Sequence, residues 1–357
     1  MKKNNVIKIF LILYLIYKAF TATSLINNAV SEGIARCINI VIPSLFFMMV
    51  VSDILIKSSL LCKISSLFNK ISKFIFGMNG EIFLVYIMSM FMGYPIGARL
   101  LTDYYENNKI SKIQAEIYLS VCYGAGPAFI FGILSASFYK DAAANIVIFS
   151  TVSANIILAV IMRIIYSSEL KNNELRSNRI FNIKISDFSE SVSKASRSLL
   201  SLCSMIIIFS VFSALIKSER IYNNFINNEF IGGIISSILD ISAIAELNIY
   251  SYTFLPIISG LISFGGICVI MQIYTIVGQK FSIKKFVITR IIAGILSNVI
   301  ATILCRIIIT DKTAVSVSAG VNYEISNNTT FSSIMLVFMM FITFVGYSNS
   351  SKNNRKI

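Results

Sequence analysis

Apolar residues along this chain gather in long unbroken runs, and the runs recur from one end to the other. They cover approximately residues 6–25, 34–56, 82–101, 117–138, 142–166, 198–216, 230–247, 251–277, 286–309 and 331–348. As helices they match a hydrocarbon core of about 30 Å, and none shows the ~10-residue alternation of barrel strands. The pattern predicts an all-α polytopic membrane protein. Basic residues between the runs belong on the cytoplasmic side, and placing them there reduces the number of crossings. The anchors are Lys2 and Lys3, the loop with Lys57, Lys63, Lys70 and Lys73, and the linker from Arg163 to Arg197. Lys280, Lys284 and Lys285 follow, then the tail with Lys352, Arg355 and Lys356. For these to share one side, 117–138 and 251–277 must each turn back as a re-entrant hairpin. Gly124, Gly126 and Pro127 break the first, and Gly265 and Gly266 mark the tip of the second. The count is about eight transmembrane helices plus two re-entrant hairpins, with both ends cytoplasmic.

An internal repeat emerges from this layout. IPSLFFMMVVSDILIKSS (Ile42 to Ser59) lines up with LCSMIIIFSVFSALIKSE (Leu202 to Glu219), and the two would cross in opposite directions. The chain divides into an N-terminal transmembrane helix (1–30), a first repeat (31–166), a basic cytoplasmic linker (167–197) and a second, inverted repeat (198–309). Residues 310–357 supply an external loop, a last transmembrane helix and a basic tail. Inverted repeats are a common plan of secondary transporters, which hold their solute near the midplane. The start, MKKNNVIKIFLILYLIYKAF, reads as an uncleaved first helix rather than a removed signal.

Composition narrows the chemistry. Of 357 residues 56% are hydrophobic and 13% charged, and the mean hydropathy is +0.77. The net charge of +14 does not point to nucleic acid, because the cations lie in connections between apolar runs rather than on a solvated basic face. The absence of histidine removes Ser-His-Asp and Cys-His catalysis, the usual zinc sites and histidine proton relays. Six cysteines without paired spacing read as small buried hydrophobes. With no phosphate-binding loop, nucleophile elbow or metal cluster, no enzyme activity, metal or cofactor is expected, and transport without ATP hydrolysis by this chain is the leading class.

The stretch GYPIGARL (Gly93 to Leu100) interrupts an apolar run. Pro95 lacks an N–H, Gly93 and Gly97 admit close backbone approach, and any opened turn must face protein or water rather than lipid. The half-helix resuming near Ile96 would offer N–H groups and a positive dipole end, with Tyr94 at its start and Arg99 adding a fork suited to a carboxylate. A merely kinked helix with Arg99 at the interface is the alternative. Tyr123, Gly124, Gly126 and Pro127 offer similar exposed backbone, and Ser263, Gly265, Gly266 and Gln272 supply polar groups in the second half. Asp240 reads as a proton or coupling-cation carrier, or as half of a structural ion pair. Asn155 and Asn298 occupy comparable places in the closing spans of the two halves. Arg163, Arg290 and Arg306 lie near span ends and read as snorkelling.

MFMGYPIGARL, YGAGPAFIFGIL and SFGGICVIMQ, in this order, resemble motifs of the YlbJ (stage V sporulation protein V) family of sporulation integral membrane proteins. The resemblance spans roughly residues 30 to 310. That family is similar to nucleoside-recognition or gate-domain proteins, related to concentrative nucleoside transporters with inverted repeats and helical hairpins. The resemblance implies gate-like repeats, a mother-cell membrane around the forespore, a small anionic aromatic substrate, dipicolinate (pyridine-2,6-dicarboxylate), and other sporulation membrane proteins as partners beside the lipid bilayer. This chain departs from the family at Leu239-Asp240-Ile241-Ser242-Ala243-Ile244, where relatives often have Leu-Glu-Ile-Thr-x-Gly, and at Tyr123, where they tend to have a small or amide residue. A nucleoside or other metabolite carrier, or a non-transporting assembly factor acting through 167–197, are the competing functions.

Overall fold

A computed structural model describes residues 3–57, 60–137, 141–170, 185–218, 229–247 and 252–308. The elements are all helical, with no strand among the described residues. α1 (Lys3–Thr21) and α2 (Thr23–Arg36) lead through a π turn (Cys37–Val41) into α3 (Ile42–Lys57). The widened turn lies just ahead of Pro43, whose missing N–H deprives the carbonyl four residues back of its usual donor. α4 (Leu60–Phe76) and α5 (Gly80–Met92) meet at a bend of 82°. There follow α6 (Tyr94–Glu106), α7 (Lys112–Leu119), α8 (Pro127–Ser137), α9 (Asp141–Ile165) and α10 (Ile185–Lys217). The remainder holds α11 (Glu229–Leu239), a 3-10 turn (Ile241–Glu246), α12 (Leu255–Phe264), α13 (Gly266–Val277) and α14 (Lys284–Ile308).

Among the described residues five helical stretches are long and apolar enough to cross a membrane: Thr23–Leu55, Ala143–Ile165, Asp187–Lys217, Tyr252–Val277 and Lys284–Ile308. The bent α4–α5 pair makes a sixth if it is one span. The chain is a multi-pass membrane protein.

The layout departs from the sequence expectation where the backbone is interrupted. Run 82–101 divides at Gly93 into two helices of 13 residues, each about 20 Å long and too short to cross alone. Run 117–138 divides about the irregular stretch Ser120–Gly126, and its arms pack on different neighbours: α7 on α6 and α14, α8 on α9 and the 3-10 turn. Run 251–277 does not double back as a hairpin. Gly265 interrupts it, yet Tyr252–Val277 qualifies as a single span, with α12 packed on α14 and α13 on α6. Run 230–247 breaks at Asp240. The expected loop with Lys63, Lys70 and Lys73 is helix α4, and 185–197 of the expected linker are the first turns of α10. Linker residues 171–184 and the expected loop, last helix and tail within 310–357 lie outside the described residues.

Small residues and hydroxyls hold the helices together, as they must where lipid removes the hydrophobic drive between helices. A Cβ at Gly260 would lie 2.9 Å from the Gly294 carbonyl oxygen, so only glycine lets α12 and α14 approach this closely. Beside that contact the buried hydroxyls of Ser150 on α9, Ser259 on α12 and Ser297 on α14 join in a chain at 2.5 and 2.7 Å. Elsewhere α2 and α3 pack on α10, with Gly33 against Ile207 and Ser210, and Arg36 donating to the Ser210 hydroxyl. The two stretches aligned as repeat copies do not face each other: Asp53 in the first meets Ser191 and Lys194 near the start of α10, and Cys203, Ile207 and Ser210 in the second meet Cys37, Gly33 and Arg36.

Candidate functional site

At Gly93 the backbone takes φ +101 and ψ 171, a conformation open essentially only to glycine, and α6 starts directly after it with Pro95 in its first turn. The irregular stretch Ser120–Gly126 crosses this break. A Cβ at Gly97 would run into the Cys122 carbonyl, and one at Gly126 would lie 2.8 Å from the Phe91 oxygen and 3.2 Å from the Gly93 nitrogen. The two interrupted segments of the first half thus lie backbone against backbone.

The second-half break completes the assembly. α12 ends at Phe264 because Gly265 turns left-handed (φ +87), which leaves the last carbonyls of α12 without helical donors. Tyrosines from the first half supply them. Tyr94 donates its hydroxyl to the Ile262 oxygen at 2.9 Å, and Tyr123 donates to the Phe264 oxygen at 3.4 Å. The two tyrosine rings lie 4.9 Å apart between centroids, with Phe129 edge-on to Tyr94 and Phe286 edge-on to Tyr123. Tyr123 also explains Gly265 on steric grounds, since a Cβ there would collide with the tyrosine hydroxyl.

Polar groups from α9 and α14 hold the crossing stretch. The Asn155 amide donates to the Val121 oxygen at 3.0 Å and the Tyr123 oxygen at 2.6 Å. Arg290 donates through Nη2 to the Ser120 oxygen at 2.7 Å and to Asn155 Oδ1 at 3.3 Å, and Thr289 also reaches the Ser120 oxygen. A cavity of about 20 Å³, room for a water molecule or two, is lined here by Met90, Tyr123, Gly124, Ala125, Thr151, Val152, Asn155, Ser263 and Arg290.

Arg290 is 1% exposed, so it does not snorkel as its place near a span end suggests. Its guanidinium lies 4.6 Å from the Tyr123 ring centroid, and its Nε has no partner. No carboxylate stands at ion-pair distance from it among the described residues. Bringing such an ion out of water costs several kcal/mol even after relaxation. Hydrogen bonds to a charged group return about 1.5–3 kcal/mol each and a buried cation–π contact about 2 kcal/mol. These neutral partners offset much of the desolvation but leave the positive charge itself uncancelled.

Other residues singled out from the sequence fall elsewhere. Arg99 pairs with Asp53 on α3 at 2.7 Å and does not line the cavity; Lys194 of α10 lies 3.4 Å from the same carboxylate and 3.5 Å from Asp103. Gln272 is buried on α13, donating to Cys268 Sγ one turn back. Asn298 packs its Cβ by Gly260, in the α12–α14 contact. Asp240 is 2% exposed and caps the 3-10 turn, accepting from the Ser242 N–H at 3.2 Å and its hydroxyl at 2.5 Å. The buried Arg36 is the cation whose charge reaches it. Arg163 lies over the Phe74 ring, and Arg306 is exposed.

No family model matches the chain, and no solved structure does. Over 316 residues, 78% of this chain and 77% of the relative, the sequence is 22% identical to the sporulation integral membrane protein YlbJ of Bacillus subtilis (strain 168). The chain is similar to YlbJ over most of its length. The resemblance read from three separate motifs is thus supported across most of the chain. All three YlbJ-like motifs converge in space: Gly93 and Tyr94 from the first, Tyr123 to Pro127 from the second, and Ser263 to Gly266 from the third. Arg290, Thr289 and Ser120, which the sequence reading missed, tie this convergence together. A polar signal for Arg290 was present in its apolar run, but its proximity to a run of lysines made it look interfacial.

Proposed function

We propose that this protein is a carrier that moves dipicolinate across the mother-cell-derived membrane around the forespore, for maturation of the spore, alongside other sporulation membrane proteins. The observation that carries the reading is the meeting of interrupted backbone from both halves around a polar cavity, the arrangement by which secondary transporters place a solute within the bilayer. Tyr123 contributes an aromatic ring to the cavity lining, with Tyr94 packed against it, which suits a planar aromatic solute. At about 20 Å³ the cavity is far below the roughly 300–1,000 Å³ of ordinary ligand pockets. On the carrier reading this is an occluded state, and the tyrosine hydroxyl contacts to Ile262 and Phe264 are what must part for solute to enter.

The test is uptake into vesicles holding the purified protein and loaded with terbium, which luminesces when it binds dipicolinate. Saturable uptake above that of protein-free vesicles is the expected result, with excess uridine failing to compete. Competition by uridine would favour a nucleoside carrier of the same plan. Uptake no greater than leakage would refute the dipicolinate reading and favour an assembly role.

A further inference from the structure

The crossing of the broken segments leaves one cation without a matching anion. Arg290 stands on a membrane-spanning helix, is 1% exposed, and has no carboxylate at ion-pair distance among the described residues. Its Nη2 is engaged with Ser120 and Asn155, whereas its Nε is unpartnered, and the residue lines the cavity. Gly124 and Ala125 line the same cavity, and their N–H groups meet no backbone acceptor among the described residues. These groups are all donors, and one of them carries a full charge in a setting of low dielectric.

We propose that Arg290 is the residue that binds a carboxylate of a small organic anion at this cavity, with the Gly124 and Ala125 amides beside it. The assignment rests on the carrier reading and specifies its substrate class as anionic. Arg99, whose fork already faces Asp53, is relieved of that task. A guanidinium suits it because its planar donors match the two oxygens of a carboxylate. The Tyr123 ring, stacked 4.6 Å from the guanidinium, holds the fork in orientation before any ligand arrives. A neutral ring solute would gain nothing from the charge, so the arrangement discriminates against nucleosides.

The experiment measures equilibrium binding and ligand-induced melting shifts on the full chain in nanodiscs. The probes are dipicolinate, its neutral diamide, uridine, and the carboxylates succinate, citrate and benzoate. The variants are Arg290→Gln, Arg290→Lys and Ser263→Asp, the last adding a carboxylate to the lining of the same cavity. The expected result is dipicolinate binding that weakens about tenfold to a hundredfold in Arg290→Gln, the range of one charge-assisted hydrogen bond. Partial recovery is expected in Arg290→Lys, and loss of binding in Ser263→Asp without loss of melting temperature. The diamide should not bind. If dipicolinate binds Arg290→Gln or Ser263→Asp as it binds the wild type, the assignment is overturned while the carrier reading stands. If dipicolinate fails but another carboxylate binds in an Arg290-dependent way, the assignment stands and the dipicolinate reading falls. If only uridine binds, or no carboxylate does, both are overturned.

Discussion

Gly93 and Gly132 show why a glycine's backbone decides what its replacement costs. Gly93 sits at φ +101 with the Leu45 side chain 2.6 Å from where a Cβ would lie, so both torsion and space oppose a side chain. Gly132 is inside α8 with ordinary helical torsions, and its nearest neighbour to an added Cβ is an Ile40 methyl at 3.4 Å. Gly93→Ala should destabilise the protein by about 1–3 kcal/mol, the usual cost of holding a residue in a sparsely populated region. Gly132→Ala should be neutral or stabilise by up to about 1 kcal/mol through helix propensity. Melting of the two purified variants in one detergent checks this. Equal losses would mean that the break at Gly93 relaxes without strain.

Among the elements, α3, α6 and α10 are joined by charge rather than by packing alone. Asp53 of α3 accepts from Arg99 of α6 at 2.7 Å and from the Ser191 hydroxyl of α10 at 2.9 Å, and Lys194 bridges Asp53 and Asp103. The Asp53 and Arg99 side chains are only 5% and 12% exposed, so removing one partner strands a largely buried charge. Asp53→Asn and Arg99→Gln should each lower stability by about 3 kcal/mol, and the double substitution should cost clearly less than their sum. A melting-based double-mutant cycle measures the coupling; additive losses would deny the pair. By the same reasoning Arg99→Gln should leave ligand affinity intact in any fraction that stays folded. Arg99 and Arg290 differ in partners that only the folded chain reveals. Gly93, Gly124 and Gly265 announced interrupted backbone locally, through residues whose conformational properties are intrinsic. Which arginine met an acid depended on contacts spanning 46 positions for Arg99 and 135 for Arg290 to Asn155, and no local pattern encodes those. The hairpin at 251–277 follows from charge-side arithmetic that puts the basic linker, Lys284 and Lys285 on one side and treats 198–216 and 230–247 as one crossing each, whereas 230–247 breaks at Asp240.

Across the whole molecule, α4 bears on how the protein sits in its membrane. Gly77 turns left-handed and the Asn79 side chain caps α5, so α4 stops and the chain leaves at 82°. Phe76 packs against Phe83 and Tyr86 at 5.4 and 5.6 Å, and Asn69 accepts from the Gly80 N–H, which together fix the bend. One face of α4 buries Ser65, Ser72 and Phe76, while Leu67, Ile71 and Phe74 stay exposed beside Lys70 and Lys73. Exposed apolar residues flanked by lysines suit a helix lying in the headgroup boundary. If α5 stands along the membrane normal, the bend puts α4 close to the membrane plane. The chain contains no tryptophan, so a single introduced one reports depth cleanly. Phe74→Trp on α4 should be quenched most by lipids brominated near the headgroup. Ile295→Trp, at an exposed position midway along α14, should be quenched most by lipids brominated deep in the acyl chain. Deep quenching at both positions would make α4 and α5 one bent span, and would move Lys70 and Lys73 away from the cytoplasmic surface where the basic-residue rule places them.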